Sequence, residues 1–324
     1  MVMNNKELHG NNPLVSIVVA TYNSAKTVTE TLDSIKAQTY NNIELIVSDD
    51  CSQDNTIDVV SRWIEESKYR FVNARLVTTD KNTGVSGNFH RGIIQSKGQW
   101  IKSIAGDDLL IPSAIAEYID FVSNNPENVR MCVCDVDCFA TNGDVNDVEK
   151  DIIKRYDRIF EKTKESYSQQ RKRIVSELVF AGPTYFYCRD LYNEVGGFKE
   201  KYGCAEEWPF VYEVIIRGNR IYSIEKKLVR YRVQNGSLSQ SRSKIGHNKR
   251  LFDDDFKFFF NKRFIGLIKI GQPLTAWHLA IWLLSKKCKY HIKNERIQSI
   301  IKSFLMMFSP LTYIQKIRRI CTQK

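Results

Sequence analysis

The chain has 324 residues, 43% hydrophobic and 26% charged, which allows one large domain or two smaller ones and excludes disordered, collagen-like and low-complexity classes. Its formal charge of +11 is unevenly placed: residues 245–324 hold 16 Lys and Arg against 4 Asp and Glu, net +12, so the first 244 residues are nearly neutral. No apolar run reaches the roughly 18–20 residues that span a bilayer, and the opening MVMNNKELHGNN has no apolar stretch that would make a signal peptide. Eight cysteines without a second pair to complete a zinc set read as reduced, structural thiols of a cytosolic protein.

In chain order, residues 15–20 (VSIVVA) form a continuous β-branched run that predicts a strand buried on both faces. Val28, Leu32 and Ile35 follow at helical spacing, then a second strand at 43–47. Asp54 caps a helix carrying Ile57, Val60 and Ile64. A third strand at 75–78, a helix at 85–96, a fourth strand at 99–104 and a helix opened by Pro112 continue the alternation. Alternating strands and helices predict an α/β fold with a mainly parallel, Rossmann-like central sheet flanked by helices. A further strand is expected at 130–139, and the polar stretch 141–173 reads as a long loop or helical excursion. Regular pattern returns at 174–180, with helices at 190–195 and 207–217 and two strands at 221–224 and 228–233. From about 245 the composition shifts to basic helices.

Ligands of open α/β sheets bind at the carboxyl ends of the strands. There the chain places Thr21-Tyr22-Asn23, Asp49-Asp50, Lys81-Asn82-Thr83-Gly84 and Gly106-Asp107-Asp108. No dinucleotide fingerprint and no phosphate-binding loop is present, which speaks against a dehydrogenase or a P-loop NTPase. Adjacent carboxylates after a strand suit a hard divalent cation, Mn²⁺ or Mg²⁺, that grips a diphosphate.

The segment VSIVVATYNSAKTVTETLDSIKAQTY, followed by NIELIVSDDCSQDNT, NTGVSGNFHRGI and GQWIKSIAGDDLLIP, resembles family 2 inverting glycosyltransferases of GT-A fold. The resemblance implies a donor-binding set of Ala20, Thr21, Tyr22, Asn23, Asp50, Asn82, Gly84 and Asp107, with Thr21 and Tyr22 flanking the nucleotide base. It implies that Asp50 accepts a hydrogen bond from a base imide, which favours a UDP-sugar, and that Asp108 and Asp107 hold the metal. The sequence departs from the family pattern in four places: Cys51 replaces the usual Gly, Ala105 replaces the first Asp of the Asp-x-Asp block, Asn88-Phe89-His90 replaces Ala-Arg-Asn, and Gln234 stands where His is usual. The resemblance further implies residues 14–244 as the catalytic domain, with a donor half of about 14–112 and an acceptor half of about 113–244. Residues 1–13 are then a flexible N-terminus and 245–324 a basic amphipathic helical region.

An acceptor hydroxyl needs a base to take its proton as it attacks. Glu206-Glu207-Trp208 resembles the family's Glu-Asp pair at a helix start, with Glu207 in the Asp place and Glu206 its alternative. A helix N-terminus favours the ionised form that a base requires. His90 reads as a packed or solvated histidine rather than a ligand, Trp208 as either an acceptor platform or core, and Asp253-Asp254-Asp255 as a solvated face. In the tail, Ile297, Ile300, Ile301, Phe304, Leu305 and Phe308 make one apolar helical stripe beside Lys293, Arg296 and Lys302. Such a stripe fits the cytoplasmic face of an anionic inner membrane, or else packs on the catalytic domain or on the partner subunit of a homo-oligomer. A nucleic-acid partner is not expected. The resulting expectation is transfer of a sugar to a saccharide or lipid-linked saccharide hydroxyl in surface-polysaccharide assembly, such as O-antigen or capsule. A degenerate sugar-nucleotide-binding protein and a sugar-nucleotide pyrophosphorylase are the alternatives.

Overall fold

The computed structural model describes residues 12–125, 128–140, 165–177, 181–233, 249–292 and 294–309. The chain divides into two units, one of residues 1–174 and 178–242, the other of 175–177 and 243–324.

The first unit is built on β1 (Val15–Thr21), β2 (Ile43–Asp49), β3 (Asn73–Val77), β4 (Trp100–Ala105), β5 (Leu109–Leu110), β6 (Met131–Ala140), β7 (Phe186–Cys188) and β8 (Tyr222–Val233). These form one sheet of order β3-β2-β1-β4-β7-β6-β8-β5. The β3-β2-β1-β4 half is parallel throughout, and β6 pairs parallel with β8; β7 runs antiparallel to both β4 and β6, and β5 to β8. All seven residues of β2 are buried, as are all of β1 except Ala20, which explains the absence of polar alternation in those runs. Helices α1 (Val28–Lys36), α2 (Thr56–Ser67), α3 (Gly84–Ile94) and α4 (Ala114–Asn124) bury one stripe each, for example Val28, Leu32 and Ile35 on α1. The Trp63 indole on α2 donates to Asp33 on α1 at 2.8 Å, tying two helices together. Further on come α5 (Tyr167–Ser176), α6 (Arg189–Val195) and α7 (Glu207–Ile216).

Two features differ from the sequence expectation. The two strands expected at 221–224 and 228–233 are the single strand β8, because register shifts on either side of the Asp135–Lys227 pair let Glu225, Lys226 and Leu228 bulge from β8 while its pairing with β6 continues. β5 and β7, of two and three residues, are too short to leave a pattern and are held by their neighbours alone. Within the excursion at 141–173, residues 141–164 lie outside the described residues and α5 occupies the remainder. Cys132 and Cys134 are fully buried on β6, and Tyr118 donates to Cys134 Sγ at 3.0 Å, so these two thiols are core groups.

The second unit is helical: α8 (Lys249–Phe258), a π-helical turn over Phe259–Arg263, α9 (Phe264–Lys269), α10 (Pro273–His291) and α11 (Glu295–Met307). Pro273 sits in the first turn of α10, where its missing N–H costs nothing. Asn294 caps α11, accepting from the amides of Arg296 and Ile297 at 3.0 and 3.2 Å. No helix among the described residues is long and apolar enough to cross a membrane.

The Asp253–Asp255 run is not a solvated face. Asp254 is buried and pairs with Lys257 at 3.2 Å, and burial pushes the Asp255 carboxyl up to about 6, against the pull of Arg263. The folded state therefore favours the protonated acid. The contribution of Asp255 to stability is complete below about pH 4, where the unfolded chain is also protonated, and is lost as pH rises through about 6. Asp255→Asn should flatten that decline and stabilise the unit by about 1–3 kcal/mol at pH 8, with little change at pH 4. Thermal unfolding of the variant and wild type across this range measures the difference.

Candidate active site at the strand ends

The register of the parallel half sets the site. Thr21 lies opposite Asp49, and Ala20 opposite Ala105, so β1, β2 and β4 end together. Thr21 Oγ1 donates to Asp49 at 2.8 Å, and Asp49 also accepts from the amide and hydroxyl of Ser52 at 2.8 and 2.6 Å. Asp49 thus serves the turn after β2. In that turn Cys51 has φ +66°, the left-handed region where the resembled family has Gly. Asn23 has φ +52° after β1; it donates its amide to Ser52 and accepts from the Gln53 amide, each at 2.8 Å. Beside it Tyr22 is 48% exposed on the rim.

Asp50 is nearly excluded from water and accepts from four donors. These are the Thr83 amide at 2.9 Å to both oxygens, Thr83 Oγ1 at 2.7 Å, the Gly84 amide at 2.8 Å and Arg91 Nη2 at 2.8 Å. The carboxylate thereby fastens the loop before α3 and the start of that helix, where Gly84 has φ +82° and also donates to Asn82 Oδ1 at 3.1 Å. Arg91 reaches the Asp49 carbonyl at 3.0 Å as well, and Asn88 donates to the Thr21 carbonyl at 3.0 Å. The Asn88-Phe89-His90 block lacks the usual arginine, but Arg91, one position on, supplies a guanidinium to Asp50. His90 packs against Tyr192, Nδ1 to hydroxyl 2.9 Å, and burial lowers its pKa.

After β4 the Gly106 amide donates to the Ala20 carbonyl at 2.9 Å; a Cβ there would lie 2.8 Å from Thr21 Cγ2, so only glycine lets this loop lie against β1. Asp108 is 1% exposed and accepts from the Arg232 amide at 2.9 Å. Burial, then the neighbouring Asp107 charge, holds the Asp108 carboxyl well above the usual range. Asp107 is half-buried. Arg232 Nε donates to the Asp107 carbonyl at 2.8 Å and its Nη2 pairs with Glu30 at 2.8 Å, so one side chain braces the carboxylate loop.

Glu206 and Glu207, both half-buried, open α7. Glu207 Oε1 accepts from the Gly182 amide at 2.7 Å. Both glutamates lie close enough to Tyr185 to raise its hydroxyl pKa further, after burial has raised it. The turn Gly182–Thr184 is fastened to β4 by Lys102, a buried lysine in an otherwise apolar strand end. Lys102 Nζ donates to the carbonyls of Ser103, Pro183 and Tyr185, and burial pushes its pKa down to about 8. Trp208 donates its indole N–H to the Ile174 carbonyl at 2.7 Å. Gln234 lies outside the described residues.

The donor-side residues therefore gather at the ends of β1 and β2 and the start of α3, the Asp107-Asp108 loop adjoins them through Gly106, and Lys102 ties β4 to the turn that holds Glu207. Sequence reasoning missed Arg91, Arg232, Glu30 and Lys102. Lys102 left a signal, a cation inside the run WIKSIA; Arg91 left one at helical spacing from Asn88. Arg232 and Glu30 meet across 202 positions of sequence and left none.

No group of three or more His, Cys, Asp or Glu among the described residues gathers as a metal-binding cluster. Asp107 and Asp108 are nonetheless hard oxygen donors of the kind Mg²⁺ uses, which takes one or two carboxylates and completes its shell with water and substrate phosphates. With Ala105 beside them, they fit such a site only if a diphosphate supplies the remaining ligands.

The profile of Glycosyl transferase family 2 matches residues 16–196. The chain belongs to that family. An uncharacterized glycosyltransferase of Rickettsia typhi is 24% identical over 71% of this chain and 67% of its own length. The Escherichia coli UDP-Glc:alpha-D-GlcNAc-diphosphoundecaprenol beta-1,3-glucosyltransferase WfaP is 33% identical over 34% of this chain and 41% of its own. The chain spans less than half the length of several other relatives, such as the succinoglycan biosynthesis protein ExoO of Rhizobium meliloti, matched over 29% of its length. The S. aureus TarS structure in complex with UDP covers 94% of this chain and 92% of its own, with TM-score 0.57 at 18% identity. The Pyrobaculum calidifontis mannosyltransferase PcManGT with GDP-Man and Mn²⁺ covers 92% and 86%, with TM-score 0.56 at 17% identity. The fold of this chain is accordingly the GT-A fold of the family.

Gly182 gives the local packing its test. A Cβ at that position would overlap Glu207 Oε1 and approach Glu207 Cγ to 3.0 Å. Gly182→Ala should cost about 1–3 kcal/mol of stability through forced displacement of the carboxylate. Pairing it with Glu207→Ala, which removes the clash, should recover most of that loss in thermal unfolding.

Proposed function

We propose that this protein is an inverting glycosyltransferase that moves a sugar from a nucleoside-diphosphate donor, UDP-linked by preference, to a hydroxyl of a lipid-linked saccharide. The observation that carries this reading is Glu207, held by the Gly182 amide at 2.7 Å at the start of α7, with its supporting turn pinned by Lys102 to the strand that leads into Asp107-Asp108. Family membership supports the nucleotide-sugar donor, and the likeness to WfaP, a UDP-glucose transferase acting on a diphosphoundecaprenol-linked sugar, supports UDP and a lipid-linked acceptor.

Tyr22 offers an exposed ring to the base beside Thr21 and Asn23. Asp50 is the group for the base imide: the Thr83 amide is shared between its two oxygens, so one of them can accept a further hydrogen without losing that donor. Asp107 and Asp108 would hold Mn²⁺ or Mg²⁺, which when bound offsets charge on the departing diphosphate. Glu207 accepts the acceptor hydroxyl proton at its carboxylate. The freed oxygen forms its bond to the anomeric carbon as the bond to the diphosphate breaks on the opposite face, and the configuration inverts. The helix N-terminus and the Gly182 N–H both favour the ionised carboxylate that this step needs. The rival reading is a degenerate member that binds donor without turnover, which the loss of an acid at Ala105 favours.

Transfer from a labelled UDP-sugar, with donor binding followed by thermal shift with UDP with and without Mn²⁺, tests the scheme. Asp108→Ala should abolish transfer while the fold persists, and near-normal turnover by that variant removes the metal assignment. Glu207→Gln should lower kcat by about 10²–10⁴-fold with donor binding intact. If Glu206→Gln is the inactive variant instead, the base is Glu206. Donor binding without hydrolysis or transfer across an acceptor panel would favour the degenerate reading.

A further inference from the structure

Helix α11 turns its wide apolar arc outward. Ile297, Ile300, Phe304, Met307 and Phe308 fall at i, i+3, i+7, i+10 and i+11, and each is between 47% and 67% exposed. Its partly covered apolar residues, Ile301 and Leu305, lie to one side of that arc. A helix of a water-soluble domain does the reverse, placing its broad apolar stripe inward. On α10 the half-exposed Trp277 donates its indole N–H to the Phe308 carbonyl at 2.8 Å, which makes the two helices one continuous apolar patch.

The chemistry around the patch selects its occupant. The segment 245–324 carries net +12, Arg296 and Lys302 are exposed on α11, and Lys269 is exposed on α9. A second copy of this face would bring two strongly cationic segments together. A nucleic acid would use the cations and leave the apolar arc wet. An anionic bilayer surface uses both: the arc enters the boundary between headgroups and acyl chains while the cations stay among the phosphates. At 13 residues, about 20 Å, α11 is too short to cross a bilayer and suited to lying along it.

We propose that α11, with the Trp277 edge of α10, is an interfacial helix that seats this protein on an anionic lipid surface. The proposal is independent of the transfer chemistry above. Co-sedimentation of the full chain with vesicles of phosphatidylcholine alone, or mixed with phosphatidylglycerol, tests it. The chain should partition onto the phosphatidylglycerol vesicles about tenfold or more above the neutral ones, and less as salt is raised. Ile300→Asp with Phe304→Asp should cut that partition about tenfold. Arg296→Glu with Lys302→Glu should weaken it on the anionic vesicles alone, and far-UV circular dichroism should be unchanged in both pairs. Wild type left in the supernatant with phosphatidylglycerol vesicles overturns the proposal, as does an Ile300→Asp, Phe304→Asp protein that pellets like wild type. Self-association of the wild type without lipid, abolished by the same pair, would instead assign the face to a second copy.

Discussion

Asp49 and Asp50 at the end of β2, and Asp108 just after β4, stand almost out of reach of water on either side of the end of β1. A buried carboxylate without partners is among the costliest groups a fold can carry. The loops around the site are arranged as answers to that cost. The Ser52 turn closes on Asp49, the start of α3 closes on Asp50 with Arg91 as counter-charge, and the last residues of β8 bring the Arg232 amide to Asp108. Asp50 and Asp108 are answered differently: Asp50 has a guanidinium at 2.8 Å, whereas Asp108 has the Arg232 amide, and burial, then the Asp107 charge, raises its proton affinity against the pull of Lys102 and Arg232.

This division bears on chemistry. A carboxylate fastened by its own loop, as Asp50 is, is held rigidly in place. One that is buried with a single backbone donor, as Asp108 is, leaves more of the desolvation cost unanswered. Glu207 belongs to neither group: it is half-buried, accepts from the Gly182 amide, and sits where a helix dipole favours its charge. Lys102 is the piece that ties these arrangements into one unit, since its three carbonyl partners belong to β4 and to the turn under Glu207. The second unit follows other rules. Its acids are few and drawn inward, Asp254 to Lys257 and Asp255 towards the buried Arg263, while cations such as Arg296 and Lys302 and one apolar arc are left outside.

Much of this was legible in the linear chain. The runs VSIVVA and IELIV announced strands buried on both faces, helical spacing announced α1 to α4, and the polar clusters after each strand were visible as a polar rim, because periodicity and strand polarity are local properties. The apolar stripe of the tail was equally plain. The solvated reading of Asp253–Asp255 failed, because which face of α8 is covered depends on segments that pack on it from elsewhere.

What the sequence alone determined is therefore the alternation of elements, the parallel half of the sheet and the residue types at the rim. Only the tertiary structure decided the partners: that Arg91 answers Asp50, that Arg232 and Glu30 meet across the chain, that Lys102 reaches Pro183 and Tyr185, and that β5 and β7 exist at all. These depend on contacts between segments distant in sequence, and a side chain carries no local mark of which distant donor or carbonyl will satisfy it once water is removed.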